Sequence, residues 1–148
     1  MEKEQVSAEV AIDLRKKMEQ IWEINKSYWY PLNECDRHDV IAFNSEFIEN
    51  KEKVNEIITL LEEHGVEQVL EFLETGQTCR INVANLHPFY CYNDDLTGGE
   101  GFWFSDKMDW IIYASHEGTI TFGGKWLVEV LKSKWSDWNN HIDWDTKN

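Results

Sequence analysis

The spacing of apolar side chains along the chain gives helices first and strands afterwards, with the change of period near Gly76. From Ser7 to about Tyr28 the residues Val10, Leu14, Met18, Ile21 and Tyr28 recur at helical spacing. Ser7 is placed to cap that helix, and Glu9 sits in the first turn, where the helix dipole favours an acid. Pro31 ends whatever precedes it, because the residue before a proline avoids the α region. Asp39–Phe43 fits a short strand. Phe43, Phe47, Val54, Ile58 and Leu61 nevertheless share a helical stripe, which predicts a long or broken helix from Asn44 to His64, ended by His64-Gly65. Val66, Val69, Leu70 and Leu73 then predict a second short helix, Val66–Glu74, whose outward face carries Glu67, Glu71 and Glu74 with no compensating base.

After Gly76 apolar and polar residues alternate. In Thr78–Ala84, Cys79, Ile81 and Val83 alternate with Thr78, Arg80 and Asn82, as a half-buried strand requires. Pro88 separates this from a second candidate strand at Phe89–Asn93. The loop Asp94–Gly101 follows, and a strand at Phe102–Ser105. Asp109–Phe122 reads as a hairpin with two competing registers. A two-residue turn at Glu117-Gly118 sets Ile120 beside Ser115 and mixes polar with apolar side chains. A three-residue loop, His116-Glu117-Gly118, with Gly118 left-handed, pairs Ser115 with Thr119 instead. That register puts Trp110, Ile112, Ala114, Ile120 and Phe122 on one face, and Tyr113, Ser115, Thr119 and Thr121 on the other. The clean sorting selects it. Gly123-Gly124 leads into a last helix, about Lys125 to Trp135. Trp138, Ile142 and Trp144 make the ending too aromatic for a loose tail. With no repeat and no linker-like stretch, residues 1–148 form one α+β domain: N-terminal helices, an antiparallel meander of four to five strands, and a C-terminal helix.

Composition adds a charge asymmetry to this plan. The net charge is −14. Residues 54–124 hold 12 acids against only Arg80 and Lys107, a net of −10, whereas the last 24 residues are neutral. Such an acidic middle repels nucleic acid and anionic membranes, whose binding needs Lys and Arg, and attracts a basic protein. The longest apolar run, Trp110 to Ala114, is far short of a membrane span. The first ten residues lack the unbroken apolar stretch of a signal peptide. Three widely spaced cysteines, Cys35, Cys79 and Cys91, suit free thiols in a reducing cytoplasm better than a disulfide scaffold.

No residue set demands chemistry. Cys35 and His38 supply half of a zinc site, and Cys79, His87 and Cys91 would have to converge on them, so neither metal nor cofactor is expected. Ser115, His116 and Glu117 are strand and turn neighbours that point apart and form no triad. Asp94, Asp95 and Glu100 surround Gly98-Gly99 without the acid spacing of a calcium loop or the Lys-Ser/Thr of a phosphate loop.

The whole-chain plan resembles the small acidic immunity proteins that bacteria encode beside polymorphic toxins. Its most specific segment is Trp110–Phe122, which looks like a strand–turn–strand of bacterial proteins of this size. The resemblance implies a cytoplasmic, non-enzymatic antitoxin that occludes a toxin, often a nuclease with a basic face. On this reading the partner-binding residues are Glu67, Glu71, Glu74, Asp94, Asp95 and Glu100, with Trp103 as an aromatic anchor. Two alternatives stand beside it. One is a regulatory protein-interaction module; the other is a small enzyme or ligand-binding protein using Asp94, Asp95, Glu100 or His116.

Overall fold

Gly118 turns the chain at the middle of the sheet. Its φ of 81° is the left-handed value expected, and Ser115 N–H donates to Thr119 C=O at 3.0 Å across the three-residue loop. The flanking strands β6 (Ile111–Ala114) and β7 (Thr119–Gly123) pair Ala114 with Ile120 and Ile112 with Phe122, the register that sorts the two faces. The computed structural model describes residues 3–23, 38–74, 78–89 and 99–142. Asp94, Asp95, Cys35, Cys91, Trp144 and the candidate strand after Phe89 lie outside them.

Around the hairpin lies a seven-stranded, wholly antiparallel sheet of order β1-β4-β3-β5-β6-β7-β2. Its other strands are β1 (Glu4–Gln5), β2 (Val40–Asn44), β3 (Gln68–Leu73), β4 (Thr78–Asn82) and β5 (Gly101–Phe104). The architecture is α+β, with a helix before the sheet and another near its end, and more strands than the four to five expected. The surplus has two sources. β1 is only two residues long, too short to carry a pattern. β3 occupies the segment expected to be the helix Val66–Glu74, and that expectation is corrected here. In β3, Val69 and Leu73 join one core while Leu70 joins the other, the period-2 arrangement of a strand covered on both faces.

Helix α1 (Ala8–Trp22) covers one face. Ser7 caps it, accepting from Val10 N–H, and Leu14, Met18 and Trp22 are its buried stripe. It ends earlier than Tyr28 because Glu23 is left-handed, and Val10 and Ile21 lie outside the stripe, exposed. The opposite face is covered by α2 (Ser45–Ile48), α3 (Lys51–Glu63) and α4 (Lys125–Lys134). The broken helix expected after Asn44 is therefore present, with β2 before it. Two caps make the break: Asn44 accepts from Glu46 N–H and Asn50 from Lys53 N–H. At the end of α3, Val66 N–H donates to Leu61 C=O and Gly65 N–H to Glu62 C=O. The described part of the aromatic ending, up to Ile142, packs back on the body. Trp138 and Ile142 join the core, and Ile142 bridges Phe43 on β2. Among the described residues no helix is long and apolar enough to cross a membrane.

Candidate functional site

A strand in place of a helix disperses the three glutamates expected to share one face. At about 3.3 Å per residue, Glu67 and Glu74 stand roughly 23 Å apart at opposite ends of β3. Glu71, between them, points into the helix-covered core and is only 6% exposed. Its Oε1 accepts from Lys3 Nζ at 2.6 Å, and its Oε2 accepts from the Trp103 indole N–H at 2.9 Å. Glu71 is thus a paired, buried carboxylate and not a free surface charge. Trp103, its cross-strand neighbour, is also buried and packs in the core. Cys79 flanks Glu71 on the other side, in register on β4. Its thiol is free and buried, and burial pushes its pKa above the ordinary 9.0; the Glu71 charge adds to the rise and Lys3 opposes it.

At the far end of β3 the structure brings together residues the sequence left apart. Glu74 Oε1 accepts from Glu100 N–H at 2.8 Å, and Glu74 N–H donates to Glu100 C=O at 2.8 Å. Glu100 Oε2 accepts from His116 N–H at 3.0 Å and also meets His116 Nδ1. His116 Nε2 lies 3.3 Å from Glu117 Oε1. The imidazole is held between two carboxylates. The Ser115 hydroxyl is 2.7 Å from that of Thr119 on the neighbouring strand and accepts from Glu117 N–H at 3.1 Å.

The opposite end of the sheet holds a cleft of about 780 Å³. The link from the end of α3 to the start of β3, the end of β4 and the turn after β5 form its walls, so its lining comes from three separate stretches of chain. Glu62, Glu67, Asp106 and Asp109 supply carboxylates, against Lys107 and His64. The His64 ring stacks on Trp126 with centroids 3.6 Å apart and planes within 7°. His64 Nε2 is 3.4 Å from Asp109 Oδ2. Of the described residues expected to bind a partner, Glu67 alone lines this cleft. Glu62, Asp106 and Asp109 were visible in the sequence only as members of the acidic block, because nothing in their spacing announces that β3 and β5 end side by side.

Among the described residues no three His, Cys, Asp or Glu side chains are arranged to hold a metal ion. Comparison with protein-family models, curated proteins and solved structures finds no match to this chain.

Proposed function

We propose that this protein acts without catalysis, by binding a basic protein through the acidic surface around the cleft at the start of β3. The observation that supports this reading is the charge of that cleft: four carboxylates line it against one lysine and one histidine. Glu62, Glu67 and Asp106 are exposed, so their field extends into solvent. A field of this kind accelerates encounter with a positive surface more than it deepens final affinity, and salt screens it over about 8–10 Å. In the setting of the immunity-protein resemblance the partner is a toxin with a basic working face, and the compartment is the cytoplasm. A regulatory module would use the same surface; a toxin gene beside this one distinguishes the two.

The test is to capture the partner from the native host and measure association at low and high salt. Reversing Glu62, Glu67 and Asp106 together to lysine is expected to slow association about tenfold at low salt and to flatten the salt dependence. Unchanged rate and affinity would mean that these acids only keep the surface hydrated. A second reading, a small enzyme or ligand-binding protein, draws on the contact between His116 and Glu100. A carboxylate-oriented imidazole is half of a general-base pair. Against it, the second ring nitrogen faces Glu117 and the adjacent serine hydroxyl is engaged by Thr119.

A further inference from the structure

We propose that residues 3–6 form a clasp over one edge of the sheet, that it opens without unfolding the rest, and that the Lys3–Glu71 ion pair is its latch. This inference is independent of the partner-binding reading and concerns the other edge of β4.

The segment passes around the sheet edge with its side chains alternating. Val6 packs against the core under α1, whereas Lys3 reaches Glu71 on the opposite face. Between them, Glu4 and Gln5 pair with Arg80 and Cys79, and Val6 N–H donates to Thr78 C=O at 3.0 Å. Among the described residues, little else holds the segment. Both strand residues are exposed, and Val6 is its one partly buried apolar side chain. A segment with few buried contacts belongs to the low-stability end of a fold, where opening is local. The helix that follows does not depend on it, because α1 starts at Ala8 with its own cap on Ser7.

Glu71 makes the closed state specific. One of its oxygens is held by Trp103 from within the sheet, and the other by Lys3 from the clasp. A carboxylate this buried is costly with one partner missing, so the ammonium ties clasp position to core electrostatics. Opening admits solvent to Glu71 and, beside it, to the Cys79 thiol, which is 6% exposed when the clasp is shut. Access to Cys79 therefore reports the clasp.

The experiment alkylates the full chain with iodoacetamide under native conditions, reads Cys79 by peptide mass spectrometry, and follows backbone amide exchange in parallel. In the wild type, Cys79 is expected to be at least about tenfold less protected than the Ile112 amide in the central hairpin, since local opening exposes the first alone. Lys3→Met keeps the side-chain stem and removes the charge. Glu71→Gln keeps an acceptor for Trp103 and removes the need for the ammonium. Each is expected to speed Cys79 alkylation roughly tenfold or more, with faster exchange at Val6 and unchanged exchange at Ile112. If Cys79 reacts only as fast as Ile112 exchanges in the wild type, the clasp does not open on its own. If both variants leave the rate unchanged, the ion pair is no latch.

Discussion

Two glycines on either side of β7 separate the cost of backbone conformation from the cost of space. Gly118 has φ 81°, and a Cβ built there meets nothing closer than Ser45 Oγ at 4.0 Å. Gly124 caps α4 with φ 116°, and a Cβ there comes within 2.5 Å of Asp109 C=O and 3.0 Å of Trp110 Cα. Those are backbone atoms at the entrance to β6, next to a fully buried tryptophan, so they cannot swing aside as a flexible side chain does. Gly118→Ala carries only the conformational term, about 1–2 kcal/mol. Gly124→Ala carries a conformational term of that order and an overpacking term of about 1–3 kcal/mol, so about 2–5 kcal/mol is expected. At about 2–4 °C per kcal/mol for a chain of this size, the melting midpoint falls by roughly 2–8 °C for Gly118→Ala and 4–20 °C for Gly124→Ala. Urea titrations with unchanged m-values establish that the loss is one of stability and not of cooperativity. Equal losses at the two positions, or a Gly124→Ala protein within about 1 kcal/mol of wild type, would refute the reasoning. Gly118→Val, with a β-branched side chain in the same backbone conformation, is expected to lose more than Gly118→Ala.

Trp103→Phe removes the indole donor to Glu71 while keeping an aromatic ring, and is expected to cost about 1–3 kcal/mol in urea unfolding; a neutral result would show that Lys3 alone satisfies the carboxylate. Cys79→Ala is expected to fold, since the thiol is free, and to alter the alkaline limb of stability. The raised thiol pKa means that above the ordinary value of 9.0 the unfolded chain releases a proton the folded chain retains. Stability from this group is thus complete below that pH and declines as pH rises towards the folded value. The wild type is expected to lose stability relative to Cys79→Ala above about pH 9, and parallel stability curves for the two proteins would contradict this.

The helices that could be read from the sequence keep one wet face, whereas the hairpin strands β6 and β7 are buried throughout and were read from their turn. The stripes of α3 and α4 survive because their outer sides are polar, and the hairpin survives because its two registers sort side chains so differently. The strand β3 could not be read, because both of its faces are covered. Val69, Leu70 and Leu73 then fall by accident at helical spacing, and Glu71, which looked like a solvated acid, faces the core. The same covering hides the link between Glu71 and Trp103, which exists only once β3 and β5 are in register. A Val-x-Glu-x-Leu alternation at 69–73 was the signal available for it. At the cleft, Glu67 was legible as a charge but not as a neighbour of Asp106 and Asp109. His116 was legible as a turn residue, and its turn is what delivers it to Glu100.

The strand order also sets the sequence of events when the chain is made. The two outermost strands, β1 and β2, both come from the first 44 residues, yet they lie at opposite edges and never touch. As the chain leaves the ribosome, Val40–Asn44 emerges with no partner until Thr119–Gly123 follows, and Glu4–Gln5 must wait for Cys79 and Arg80. Among the described residues, β1 and β2 therefore have no strand partner until β4 and β7 have been made. Pairing between such distant segments is slow, on the order of milliseconds to seconds. The nascent chain thus presents an apolar Val-Ile-Ala-Phe segment until Thr119–Gly123 has been made.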